Sequence, residues 1–291
     1  MNYTIAHDTR IGGREINQDR AAWLATEKAV LMVVADGMGG HLQGEVAAQI
    51  AIDTLVERFR ADAKPRLASP ADFLSASLLL AHRTIVRYAA DCRIPPHVAP
   101  RTTCIACVVQ DGKASWAHAG DSRLYLIHQH PQGPAKVAHT RDHSIVQRMV
   151  DEGSISADEA ISHPLRNRVF SCLGGDVVPQ VELSAAIPLH DGDLVALCTD
   201  GAWAPLGESL VAEIGRAPLT TTVPHLLDVA ERAAGPGADN LTLIAMRWGE
   251  PDPDAVGERR AREAHVSDGD LEQAIAQIRR RNPYNPNGAS S

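Results

Sequence analysis

No stretch of the chain stays apolar for the roughly 18 positions that a membrane helix requires, and the first residues do not run from basic to apolar as a secretory signal does. A cytoplasmic protein without a membrane span is expected. Positive charge is also short: 28 lysines and arginines face 36 aspartates and glutamates, a net charge of −8. That balance argues against general binding to nucleic acid or anionic lipid. Cysteine is sparse and unpatterned. Cys92, Cys104, Cys107, Cys172 and Cys198 make an odd count without framework spacing, as expected in a reducing compartment. Cys104 and Cys107 match C-x-x-C, but a zinc ribbon needs a second pair and none is present. In a strand, residues three apart face opposite sides, so both read as small buried residues. With 291 residues, 44% hydrophobic and 22% charged, the chain suits one large domain, or a domain and a tail.

Against these absences stand five aspartates, Asp19, Asp36, Asp121, Asp200 and Asp239, each in a short polar or glycine-containing turn beside an apolar run of strand character. The clearest are Val30 to Ala35 running into Asp36-Gly37, and Leu194 to Thr199 running into Asp200-Gly201. Asp-Gly is also a common turn dipeptide, and one alone reads as a turn. The stretch Asp36 to Glu45 is more demanding, because it holds four glycines in ten residues before a helix; such a loop suggests close backbone approach to a ligand. Carboxylates brought together repel one another unless a cation sits between them. Hard divalent ions with oxygen ligands are the usual answer.

Periodicity places the elements. Strands are expected over 3–8, 21–26 and 29–35, and a helix over 44–60 with Ala47, Ile50, Ala51, Leu55 and Phe59 on one stripe. Ser69-Pro70 supplies an N-cap and a first-turn proline for a second helix reaching about Ala90. Three closely spaced strands, 102–110, 113–119 and 123–128, predict antiparallel hairpins across Asp111-Gly112 and Gly120-Asp121-Ser122. Ser144-x-x-Gln147 and Ser156-x-x-Glu159 read as capping boxes. The stretch 151–175 has little strand character and reads as a flap; strand 194–199, a helix near 222–234 and strand 241–248 close the domain. Antiparallel strands with long helices between them favour an α+β fold, a sandwich of two antiparallel sheets with helices packed outside. The five aspartates would meet at one end of it.

The motifs Arg14-x-x-Asn17-Gln18-Asp19, Asp36-Gly37-Met38-Gly39-Gly40-His41 with Gly44-Glu45, Gly120-Asp121-Ser122-Arg123, Asp142-His143-Ser144, His163-Pro164 with Asn167, Thr199-Asp200-Gly201 and Asp239-Asn240-x-Thr242 run in this order through residues 3–248. In that order they resemble the bacterial-type metal-dependent serine/threonine protein phosphatases of class 2C. The resemblance implies a four-layer α-β-β-α sandwich with two Mg2+ or Mn2+ ions at one edge. It implies that Asp36 bridges both ions with the Gly37 carbonyl on one, that Asp200 and Asp239 complete the second ion's shell, and that Asp19 holds ion-bound water. Asp121 matches the carboxylate for a third, weaker ion. Arg14 matches the arginine that binds the substrate phosphate, a group that suits a planar fork of donors.

Two positions depart from the pattern. Animal-type members carry a histidine directly after Asp-Gly, proposed as general acid; here that position is Met38, the bacterial form, and His41 three residues on is the candidate general acid, with a loop-capping role as the competing reading. Arg101-Thr102-Thr103 stands where the family often has Gly-Thr-Thr. His118, His128, His130 and His139 show no ligand spacing and read as structural or surface residues; His143 and His163 read as loop-ordering. Residues 249–291 are expected to be a linker and flexible tail, with a candidate short helix over 270–281. The expected function is hydrolysis of phosphoserine and phosphothreonine in proteins by a metal-bridging hydroxide, opposing a cognate serine/threonine kinase in signalling, by a chain expected to be monomeric. A small-molecule phosphohydrolase and a metal-free binding module are the alternatives.

Overall fold

The computed structural model describes residues 1–38, 43–129 and 135–249. The tail and its candidate helix, like His41 and His130, lie outside the described residues. The chain opens with β1 (Tyr3–Arg10), β2 (Asp19–Ala25), β3 (Ala29–Met38), α1 (Gly44–Asp62) and α2 (Pro70–Asp91). Next come β4 (Arg101–Thr102), β5 (Cys104–Gln110), β6 (Lys113–Ala119), β7 (Arg123–His128) and β8 (Lys136–His139). Short elements follow: α3 (Ile145–Asp151), α4 (Ala157–Ser162), β9 (Leu173–Gly174), β10 (Glu182–Leu183) and β11 (Ile187–Pro188). The domain closes with β12 (Leu194–Cys198), α5 (Asp200–Leu206), α6 (Glu208–Glu213), α7 (Leu219–Ala234) and β13 (Leu241–Trp248).

One antiparallel sheet has the order β1-β13-β12-β7-β8. The other is built on β3, with β2 on one side and β5 on the other, continuing through β6 to the short β10 and β11. Alternation within single strands explains the layering. In β3, Val30, Met32 and Val34 face the second sheet, while Leu31, Val33 and Ala35 face α1 and α2. In β12, Val195 and Leu197 point between the sheets, and Leu194, Ala196 and Cys198 pack under α5 to α7. Strands covered on both faces read as unbroken apolar runs. The result is the expected four-layer α-β-β-α sandwich of two antiparallel sheets. Cys104 lies in the helix-facing core and Cys107 in the inter-sheet core, on opposite faces of β5.

The expectation of successive hairpins holds for β5 and β6 but not for β6 and β7. β7 pairs with β12 and β8, in the other sheet. Gly120 turns this corner at φ +120, where an added Cβ would lie 2.4 Å from the Thr103 side chain. Both faces of β6 and β7 are largely apolar and buried, so each strand gains more by entering a different layer. The single strand expected from Thr102 is interrupted at Thr103, although Gly37 opposite Thr102 and Val34 opposite Ile105 keep one register. The ladder breaks on one side only: the Thr103 N–H keeps its bond to the Asp36 carbonyl at 2.9 Å, but the Asp36 N–H donates to Thr103 Oγ1 at 3.2 Å, and the Thr103 carbonyl accepts from the Thr102 hydroxyl at 2.7 Å. Of the two capping boxes, the one at Ser156 is complete. Ser144 accepts from the Gln147 N–H.

Candidate metal centre

β2 and β3 set Asp19 and Asp36 directly opposite each other. Asp200 follows β12 at the first turn of α5, and Asp239 precedes β13, so both arrive at the same end of the sandwich from the other sheet. Two close backbone approaches make this possible. A Cβ on Gly37 would fall 2.3 Å from the Gly44 carbonyl oxygen, where β3 meets α1, and a Cβ on Gly201 would fall 2.1 Å from the Asn240 carbonyl oxygen. Asn240 then ties in the 11–18 loop: its Nδ2 donates to the Ile11 and Ile16 carbonyls at 2.8 and 3.1 Å, and its Oδ1 accepts from the Gln18 N–H at 2.8 Å.

Asp19 is buried. Its Oδ2 accepts from the Thr199 and Thr242 hydroxyls at 2.9 and 2.7 Å, while Oδ1 is buried without a partner. Burial, against the opposing pull of the threonine bonds and with Asp200 and Asp239 adding to it, pushes the Asp19 carboxyl up to about 7. Asp36 is pushed well above the ordinary range, first by loss of hydration and then by Asp19, Asp200, Asp121 and Asp239. Asp200 is raised by loss of hydration and by Asp239, against a hydrogen bond shared with Asp36. Asp121 is raised by burial, Asp200 and Asp142.

The structure therefore brings Asp19, Asp36, Asp121 and Asp200 into mutual electrostatic contact, with Asp239 at the rim. The clustering is looser than a single-ion cage: among the described residues, the groups of three donors whose ligand atoms lie within 4.8 Å of one another are His118, His143 and Glu182, and His128, His190 and Asp193. An oxygen set shared between two ions about 3.5–4 Å apart is wider than a one-ion set. Oxygen donors alone, an orphaned buried oxygen and carboxyls held above their ordinary range fit hard divalent cations.

Arg14 is placed differently from a residue waiting for substrate. Its Nε and Nη2 fork onto Asp239 at 2.9 and 2.7 Å, and its side chain is 56% exposed. Arg123, next to the Asp121 turn, is held out of the cluster: it forks onto Asp142 at 2.8 and 2.9 Å and lies 3.4 Å from the Trp203 ring centre. The sequence patterns assign no role to Thr199, Thr242, Thr103 or Asn240; the threonines that follow β4 and β12, the threonine near the start of β13 and the Asp-Asn pair are the available signals. A cavity of about 110 Å³ beside β4, lined by Arg101, Phe170, Cys172 and Val178, is not lined by any of the five aspartates.

The model of the protein phosphatase 2C family matches residues 8–234. The chain belongs to that family. It is 32% identical over 219 residues to the serine/threonine protein phosphatase PstP of Mycobacterium tuberculosis, a match covering 74% of this chain and 40% of that protein's length. Among solved structures it resembles the Streptococcus agalactiae serine/threonine phosphatase, with a TM-score of 0.74 and 26% identity over 84% of this chain and 99% of that one. It also resembles the catalytic domain of PstP in complex with two manganese ions, with a TM-score of 0.65 and 28% identity over 84% of this chain and 97% of that one.

The raised Asp19 carboxyl has a consequence for the ion-free chain. Between the ordinary 3.8 and about 7, the folded chain keeps a proton that the unfolded chain has lost, so stability falls as pH rises through that window. Thermal melts in EDTA should show a Tm that falls across it, with a shallower fall in Asp19→Asn. An unchanged slope in that variant would contradict the assignment.

Proposed function

We propose that this chain hydrolyses phosphoserine and phosphothreonine esters in proteins, with residues 1–248 as the catalytic unit. The observation that carries the reading is the meeting of Asp19 and Asp36 from one sheet with Asp200 and Asp239 from the other, around a buried carboxylate oxygen without a partner. Asp36, the Gly37 carbonyl, Asp200 and Asp239 would hold two Mg2+ or Mn2+ ions, Asp19 would orient their water, and Asp121 would hold a third, weaker ion. Two such ions, when bound, neutralise phosphoryl charge and lower the pKa of water enough for it to attack. The PstP complex with two manganese ions supports the choice of ion.

The chain's own residues supply orientation. Thr199 and Thr242 fix the Asp19 carboxyl through Oδ2, leaving Oδ1 buried without a hydrogen-bond partner. Arg14, kept cationic by its bonds to Asp239, has the exposure to turn its fork toward solvent and take two phosphate oxygens. His41 is the proposed proton donor to the leaving oxygen. No helix among the described residues is long and apolar enough to cross a membrane. We place the protein in the cytoplasm, opposing a serine/threonine kinase, as a monomer.

Asp36→Ala should lower kcat on p-nitrophenyl phosphate by about 10³-fold or more, as expected when charge stabilisation at the reacting group is lost, with an unchanged circular dichroism spectrum. EDTA should abolish wild-type turnover and Mn2+ restore it; activity that survives EDTA would remove the ion-dependent reading, and activity confined to small phosphates would remove the protein substrate. For Arg14→Ala, KM should rise more than kcat falls, and an unaltered KM would show that the guanidinium serves Asp239 alone. His41→Gln should slow phosphopeptides, whose leaving oxygen needs a proton, more than p-nitrophenyl phosphate. Equal slowing would dismiss His41 as the acid.

A further inference from the structure

We propose that His118, His143 and Glu182 form a separate metal site, outside the aspartate cluster, for one transition ion of the zinc class. His118 in β6 and Glu182 in β10 are direct register partners, so their side chains share a face at the sheet edge. His143 reaches the same place from the turn before α3, and its ring stacks on His118 at 4.6 Å. One donor atom from each of the three residues lies within 4.8 Å of the others. Both imidazoles are buried, 1% and 3% exposed, and His118 Nδ1 and His143 Nε2 have no hydrogen-bond partner.

The remaining nitrogens fit the role. His118 Nε2 lies 2.9 Å from the Arg141 carbonyl; donating its proton there leaves the Nδ1 lone pair free, the usual outer partner of a metal-bound histidine. His143 Nε2 lies 3.5 Å from a Glu182 oxygen. Burial and then the His118 ring hold His143 below the ordinary imidazole range, in the neutral form that ligation requires. The Gly120 N–H approaches His143 Nδ1 at 3.4 Å. An ion on Nε2 moves the ring proton to Nδ1 and gives up that long, weak bond. Tetrahedral ligation brings donor atoms to roughly 3.3 Å apart, which asks the two-residue edge strand β10 to close inward. Glu182, 51% exposed, opens the site to solvent.

The other histidine group lacks these marks. The Asp193 carboxylate there already accepts from His128 Nδ1 at 2.7 Å, the His190 N–H at 2.8 Å and the Gln129 N–H at 3.1 Å, so hydrogen bonds account for it without an ion. At the proposed site an ion would fasten β10, which follows the segment lining the Arg101 cavity, to the strand end that leads into Asp121. The site does not depend on the catalytic reading.

Calorimetric titration of the full chain with Zn2+ in millimolar Mg2+, which keeps the all-oxygen centre occupied, tests the proposal. Asp36→Asn serves as a second background in which that centre is disabled. One Zn2+ per chain should bind in both backgrounds, Co2+ substituted for it should show the visible absorption of nitrogen ligation, and Glu182→Gln and His118→Gln should each weaken binding by about tenfold or more. Glu182 is exposed, so its variant separates lost ligation from lost folding. Zn2+ binding unchanged in Glu182→Gln, or abolished by Asp36→Asn, would overturn the site.

Discussion

Gathering carboxylates at the rim of a dry β-sandwich is the constraint around which this chain is arranged. Two unit charges 4 Å apart repel by about 4 kcal/mol at the dielectric of a protein surface, and the Asp36 carboxyl is raised by four acidic neighbours, Asp19, Asp200, Asp121 and Asp239, in addition to its burial. Burial and mutual repulsion raise the Asp36 and Asp200 carboxyls together, so both favour the protonated form more than an isolated aspartate does. Protons and divalent cations are therefore alternative occupants of the same charge deficit. This explains why the group sits at the strand ends, where ions and solvent can reach, while the inter-sheet core beneath consists of Val30, Met32, Ile105, Leu124, Val195 and Ile244.

Neutral donors hold the frame, and cations are kept to its edge. Thr199, Thr242, Thr103 and Asn240 fix carboxylates and loops without supplying charge. Burial and its acidic neighbours raise the Asp121 carboxyl, and Arg123 only opposes that rise, because Asp142 and the Trp203 ring claim its guanidinium. A free guanidinium inside the cluster would neutralise the carboxylates and remove their affinity for metal. Arg14 neutralises Asp239 from the solvent side, where a side chain can move away at little cost because exposed ion pairs are weak.

Much of this was legible before the structure, for physical reasons that differ by element. Runs such as Val30 to Ala35 and Leu194 to Cys198 announce strands buried on both faces, and the helical stripe of Ala47, Ala51, Leu55 and Phe59 is the one that packs on the sheet. The aspartates were legible because each ends or begins such a run. The fate of the Gly120-Asp121-Ser122 turn was not, because hairpin and sheet-crossing corner use the same residues and only tertiary packing against Thr103 distinguishes them. Two-residue strands such as β9, β10 and β11 carry no periodicity to detect. The meeting of His118 with Glu182 was hidden for the same reason, since their proximity depends on one of those strands pairing with β6. Arg14 was legible as a cation near the centre, but its fork onto Asp239 is a property of two loops meeting, which no local pattern contains.

The centre belongs to neither sheet. Asp19 and Asp36 come from the layer under α1 and α2, Asp200 and Asp239 from the layer under α5 to α7, and Asp121 from the corner between them. Spacing between the two halves is therefore set by the side chains packed between the sheets, because close-packed interiors transmit small changes in volume. Hydrogen bonds from Thr199 and Thr242, which sit on the second layer, to Asp19 on the first join the halves directly at the rim. Loosening the apolar interior would misplace the oxygens of one layer relative to the other even with every aspartate intact. Fold stability and ion affinity in this chain are thus two readings of the same inter-sheet distance.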